Sequence, residues 1–154
     1  MDLLPDFKDL LSALAASNAD YLVVGGWAVG FHGEPRYTKD LDLLIGSDPA
    51  NLVRVAAALA TFGAPASIVE QVRGLRPDEF LFLGTPPARV DILRAVPGVD
   101  FSEAHARCER VTWDGVPVSI IAFDDLLASK RAAGREKDER DVRALLRSRP
   151  HPPR

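Results

Sequence analysis

The sequence is poor in cysteine. Cys108 stands alone among 154 residues, so no disulfide can close within the chain and nothing points to an oxidising compartment. Long apolar runs are missing too: none approaches the roughly 20 residues that a helix needs to cross a bilayer. The opening Met-Asp-Leu-Leu-Pro-Asp is acidic where a secretory leader would be basic. There is no internal repeat and no linker long enough to divide domains. An excess of positive charge is also lacking, and the net charge of −3 argues against a dedicated nucleic-acid binder. Together these absences predict a cytoplasmic protein with no membrane partner, with one domain over residues 1–148 and a disordered tail, 149–154.

What is present suits that expectation. Hydrophobic residues make up 47% and charged residues 27% of the chain, the balance of an ordinary globular protein with a real core. The charge is uneven, because Lys130 to Arg154 carries nine Lys/Arg against four Asp/Glu. That basic end could meet phosphates, or form a solvated helix face.

Phe7, Leu10, Leu11 and Leu14 recur at helical spacing and predict an amphipathic helix ending near Ser17. Tyr21 to Val24 reads as a short buried strand running into Gly25-Gly26, with a short helix from Trp27 to Phe31 that Gly33-Glu34-Pro35 breaks. Asp40 to Ile45 is a second strand. Asp48 as cap, Pro49 in the first turn and a stripe of Leu52, Val53, Ala56, Leu59 and Ala60 predict a helix that Gly63 ends. Ile68–Val72, Glu79–Leu83 and Arg89–Leu93 read as three further strands, and Ser102–Arg107 as a short helix. Asp114-Gly115, between Arg110–Trp113 and Val116–Ile120, marks a hairpin. Two closing helices, about Asp124–Ala133 and Glu136–Arg147, meet at Gly134. The class is α/β or α+β with a mixed sheet.

Chemistry concentrates between Val23 and Leu44. Asp40 and Asp42 are two apart on a strand, so both carboxylates point to one face. Two like charges about 4 Å apart repel by roughly 4 kcal/mol at an effective dielectric near 20. A fold tolerates such a pair when a cation sits between them, and hard divalent ions favour a few carboxylates together with substrate phosphates. An isolated Asp-x-Asp is more often a pair of solvated acids. Two further features change that balance here. Gly25-Gly26 follows a buried strand, where the backbone can approach a ligand and N–H groups attract phosphate. Asp91 is a lone acid between Val90 and Ile92, able to join the pair from another strand.

These residues, in this order, resemble the nucleotidyltransferase superfamily that includes DNA polymerase beta and the kanamycin and lincosamide nucleotidyltransferases. The shared pattern is a hydrophobic strand, Gly-Gly or Gly-Ser, a short interval, Asp-hydrophobic-Asp/Glu, and a third Asp on a later strand. In this chain the interval is residues 27 to 39, followed by Asp40-Leu41-Asp42, with Asp91 as the third acid. The wording Gly25-Gly26-Trp27-Ala28, Arg36-x-Thr38-x-Asp40-x-Asp42 and Lys130…Arg135…Asp138…Asp141 is similar to a narrower branch of small stand-alone prokaryotic proteins and AbiEii-type toxins. The resemblance covers residues 20 to 147 and departs from many catalytic members where Gly26 and bulky Trp27 replace a serine. It implies a minimal nucleotidyltransferase fold, a mixed sheet flanked by helices with two more at the C-terminus.

It also implies an activity: transfer of a nucleoside monophosphate from a nucleoside triphosphate to an acceptor hydroxyl. Asp40, Asp42 and Asp91 would be catalytic and would hold two Mg²⁺ ions, or Mn²⁺. Gly25, Gly26, Arg36, Lys39 and Lys130 would face the nucleotide. Lys130 has a second reading, since it borders the buried stripe, and it or Arg135 could form a structural ion pair with Asp138 or Asp141. Trp27 reads as core rather than as a base-stacking surface, and His32 and His105 belong to no ligand cluster. The acceptor could be an RNA end, a protein side chain or a small molecule such as an aminoglycoside, within a toxin–antitoxin pair or outside one. The rival is an inactive member of the fold acting as an antitoxin or other protein-binding partner. A dinucleotide-binding unit fails, because Gly-x-Gly-x-x-Gly is absent after the first strand.

Overall fold

The computed structural model describes residues 3–33 and 40–149. In chain order the elements are α1 (Pro5–Ala16), β1 (Tyr21–Val24), α2 (Gly25–His32), β2 (Leu41–Ile45), α3 (Pro49–Phe62), α4 (Ala66–Arg73) and β3 (Phe80–Leu83). They continue with β4 (Val90–Leu93), α5 (Phe101–Ala106), β5 (Glu109–Trp113), β6 (Val116–Ile120), α6 (Phe123–Ala133) and α7 (Glu136–Ser148). The strands form one mixed sheet in the order β3-β4-β2-β1-β6-β5. β1 runs antiparallel to β2 and parallel to β6, and β2 runs parallel to β4. The two outer pairs, β3 with β4 and β5 with β6, are antiparallel.

The helices form where the sequence patterns place them, with one exception. The α1 stripe of Phe7, Leu10, Leu11 and Leu14 is wholly buried and packs toward α3. α3 starts as expected, the Asp48 side chain accepting from the Ala50 N–H, and it ends at Gly63. Its stripe lies slightly aside of the expected one: Val55 and Ala58 are buried, while Val53 and Ala60 face outward. The exception is Ile68–Val72, which the β-branched run predicts as a strand and which folds as the helix α4. Over that segment only Val72 is buried, so a helix can present one inward residue to α3, whereas a strand there would need a partner.

Asp114 and Gly115 both adopt positive φ, 52° and 80°, as the two-residue hairpin between β5 and β6 requires. On β3 and β4 burial alternates: Leu81, Leu83, Val90 and Ile92 are buried, while Asp91 and the two phenylalanines of β3 point the other way. A buried polar clamp fixes β1 and β2 to α3. Asn51 accepts from the Asp20 N–H at 2.7 Å and donates to the carbonyls of Asp20 and Gly46 at 2.9 and 2.8 Å. Arg149, expected to open a loose tail, reaches back to Asp124 and lies over the Phe123 ring. The remaining tail, 150–154, lies outside the described residues.

Candidate active site

Register brings the acids together. Val24 is opposite Asp42, Asp42 is opposite Asp91, and Asp91 is opposite Phe82. Directly opposed residues share a face, so these four side chains form one row across four strands. A backbone bond from the Leu41 N–H to the Arg89 carbonyl, 3.0 Å, ties the ends of β2 and β4 beside the row.

Among the described acids, Asp42 is pushed far from its ordinary value. Burial, the Asp91 charge, a hydrogen bond shared with Asp91 and the Asp40 charge push it up from 3.8 to about 7, with only Lys130 pulling it down. Asp91 is held from its other side by Arg89, whose Nε donates to Oδ1 at 2.9 Å. Asp40 immediately precedes β2, near enough for its charge to act on both Asp42 and Arg89. Among the described residues, no group of three or more His, Cys, Asp and Glu is already gathered as metal ligands. The assembled unit is the Asp42–Asp91 pair, with Asp40 at its margin.

Gly25 explains the Gly-Gly signal. Its φ is +65°, and a Cβ placed on it would run into the Asp42 carboxylate. Only a residue without a side chain lets α2 begin directly beside the acids. Gly25, Gly26 and Asp42 form one wall of a cavity of about 580 Å³, a size suited to a small-molecule ligand. The opposite wall comes from α6 and α7 and is rich in cations, including Lys130, Arg135, Arg140 and Arg147.

Lys130 makes the ion pairs that its position at the border of the apolar stripe predicts. Its Nζ is 3.4 Å from Asp138 and 3.0 Å from Asp141, both acids being buried. Arg135 adds a 2.7 Å bond from Nε to Asp138, and its backbone N–H donates to the same oxygen. Burial opposes the Asp138 charge, but Arg135 and Lys130 outweigh it and hold the acid below its usual value. Lys130 therefore belongs both to a structural network and to the cavity wall.

A family described as a nucleotidyltransferase of unknown function (DUF6036) matches residues 2–147. The chain belongs to this family. Nucleotidyltransferases also recur among solved structures with the same fold. A candidate nucleotidyltransferase from Thermotoga maritima superposes with a TM-score of 0.61 at 14% identity, over 93% of this chain and 91% of that one. The antibiotic-resistance factor ANT(2'')-Ia, in its complex with adenylyl-2''-tobramycin, matches with a TM-score of 0.56 at 17% identity, over 92% of this chain and 86% of its own. An antigenic nucleotidyltransferase-like protein from Paracoccidioides brasiliensis gives 0.51 at 16% identity, over 94% and 78%. No curated protein matches the sequence significantly. The chain is thus a transferase of the nucleotidyltransferase class, with the mixed-sheet fold that its residues imply.

Within this nucleotidyltransferase, Asp42 and Asp91 meet, and Gly25, Gly26 and Lys130 line the adjoining cavity. Arg36, Thr38 and Lys39 lie outside the described residues. Trp27 packs into the core between Phe7 and Trp113, at ring-centroid distances of 5.9 and 5.7 Å. His32 Nε2 lies 2.7 Å from the Ile121 carbonyl, and His105 stacks on Phe101, so both histidines act as packing residues. Sequence reasoning missed Arg89, although Arg89-x-Asp91 has the period-2 spacing that places two residues on one side of a strand.

Proposed function

We propose that the protein transfers a nucleoside monophosphate from a nucleoside triphosphate to an acceptor hydroxyl, releasing pyrophosphate. The observation that carries this reading is the Asp42–Asp91 pair, set beside Gly25 at one wall of a cavity whose other wall is cationic. The pair fits a divalent cation: Asp42 and Asp91 share a hydrogen bond, and burial first, then the Asp91 charge, suppresses the acidity of Asp42. A positive ion between them would relieve both effects.

Asp42 and Asp91, joined by Asp40, would hold Mg²⁺ or Mn²⁺. When bound, such ions polarise the α-phosphate and neutralise the departing pyrophosphate. The backbone at Gly25-Gly26 and the Lys130 side chain would grip the triphosphate, with Arg36 and Lys39 contributing from the segment before β2. An Asp91 oxygen would take the proton as the acceptor oxygen attacks the α-phosphorus. The new O–P bond forms as the bond from the α-phosphorus to the bridging oxygen breaks, and the pyrophosphate keeps that electron pair.

The acceptor classes open to this site are an RNA end, a protein side chain and a small molecule such as an aminoglycoside or lincosamide. A cognate partner protein within a toxin–antitoxin pair is compatible with a catalytic unit this small. The cytoplasm suits a chain whose single cysteine cannot form an internal disulfide. The second reading, an inactive fold used as an antitoxin or binding partner, must explain why an acid disfavoured by its surroundings is kept at position 42.

The test is incubation with Mg²⁺ and each labelled nucleoside triphosphate, using cell extract as the source of acceptors. Label should appear on one acceptor class and vanish with Asp40→Ala/Asp42→Ala. Absence of both transfer and Mg²⁺-dependent nucleotide binding would overturn the catalytic reading and leave a binding module.

A further inference from the structure

The row that carries the acids continues one strand further, onto β3. Phe82 is opposite Asp91, and Phe80 is opposite Leu93, which itself lines the cavity. Both phenylalanines are more than half exposed, at 55% and 53%, on the outermost strand at that end of the sheet. Their neighbours Leu81 and Leu83 are buried, so β3 spends one face on the core and leaves two aromatic rings in water on the other. Arg89 connects these rings to the acids. Its guanidinium carbon lies 4.4 Å from the centre of the Phe82 ring, while its Nε holds Asp91.

Resting on the transfer reading above, we infer that Phe80, Phe82 and Arg89 form the acceptor platform, and that the acceptor is the end of a single-stranded nucleic acid. Position comes first. The nucleotide cavity lies on the α6–α7 side of Asp42, so an attacking hydroxyl must arrive from another side of the acids, and β3 borders Asp91 directly. Chemistry follows. Alternate residues of a strand are about 6.5–7 Å apart on one face, roughly two base-stacking steps, and aromatic residues on an open sheet surface recognise unpaired bases by stacking. Arg89 supplies a cation for the neighbouring phosphate, whereas it would repel a polycationic aminoglycoside. A duplex, whose bases already stack on each other, gains nothing from exposed rings.

The experiment is fluorescence anisotropy of a labelled single-stranded RNA of about ten nucleotides, titrated with the full chain in Mg²⁺. Binding should weaken at least about tenfold in Phe80→Ala/Phe82→Ala, persist in Phe80→Trp/Phe82→Trp and fall for the matching duplex. Arg89→Gln should weaken binding and flatten its salt dependence. Nucleoside triphosphate binding, read in parallel, should stay within about twofold in the two Phe80/Phe82 variants, because neither ring lines the cavity. RNA affinity that ignores the rings would overturn the proposal, as would transfer to an aminoglycoside or a protein by a chain that binds no RNA. A double alanine variant that only turns a dimer into a monomer would overturn it too and mark this edge as a self-interface. If RNA binding tracks the rings while no nucleotide is bound or transferred, the rings remain a single-strand-binding surface, and the acceptor role falls with the transfer reading.

Discussion

Burial and two neighbouring acids push Asp42 up to about 7, so near neutral pH the metal-free fold works against its ionised form. A raised carboxylate contributes stability that is complete below its ordinary 3.8 and is lost as pH rises through about 7. Asp42→Asn should therefore raise the melting temperature at pH 8 in chelator, by on the order of 5 °C, while abolishing transfer. A lower melting temperature would show that the carboxylate is not strained. Gly25→Ala tests the opposite kind of constraint. The left-handed backbone alone costs an alanine about 1–2 kcal/mol, and the added methyl displaces the Asp42 carboxylate. Transfer should fall on the order of a hundredfold with the overall fold retained, as judged by steady-state kinetics and circular dichroism.

At the scale of elements, the α6–α7 hairpin is held by charge. Lys130 neutralises two buried acids on α7, and Arg135 caps one of them. Removing the cation takes one charge partner from each buried acid, with Arg135 still on Asp138, so Lys130→Met should cost about 1–3 kcal/mol in urea unfolding. Lys130→Met/Asp138→Asn/Asp141→Asn should recover much of that loss without restoring transfer. Asp138 also gives the hairpin a pH response opposite in sign to that of Asp42. Its lowered value means that stability is present above the ordinary carboxylate range and is lost as pH falls through the folded value. Acid titration followed by circular dichroism should show this dependence reduced in the lysine variant and reduced further in Arg135→Gln, because the Arg135 hydrogen bond is the largest influence lowering the acid. The hairpin was legible in the sequence because border positions on an amphipathic helix demand partners. α4 was not, because Ile68, Val69 and Val72 favour a strand locally and only packing on α3 decides for a helix.

Over the whole molecule, the sequence shows most clearly what depends on local period and spacing. Asp40-Leu41-Asp42, the Gly-Gly turn and the Asp114-Gly115 hairpin are all readable within a few residues. The pairing of Asp42 with Asp91 is suggested by the alternation around Asp91 and by the family resemblance, but which strands adjoin and in what register is not written in the local sequence. Arg89 beneath Phe82 and the Asn51 clamp were invisible for the same reason, as each joins residues from separate elements. Asn51 should prove a keystone of that assembly. Asn51→Leu takes the side-chain partner from the half-buried Asp20 N–H and the buried Gly46 carbonyl, while the Asp20 carbonyl keeps its bond from the Gly46 N–H, and should cost roughly 2–4 kcal/mol, seen as a lower urea midpoint with an unchanged slope.

The crosswise row from Val24 through Asp42 and Asp91 to Phe82 also determines how this lineage can vary in length. Loops between strands can gain or lose residues while both strand ends stay in place. Within β2 or β4, a single inserted or deleted residue would turn every following side chain to the opposite face, exchanging a carboxylate for an aliphatic side chain. Insertions and deletions among descendants should accumulate between the strands and, inside them, survive only in pairs.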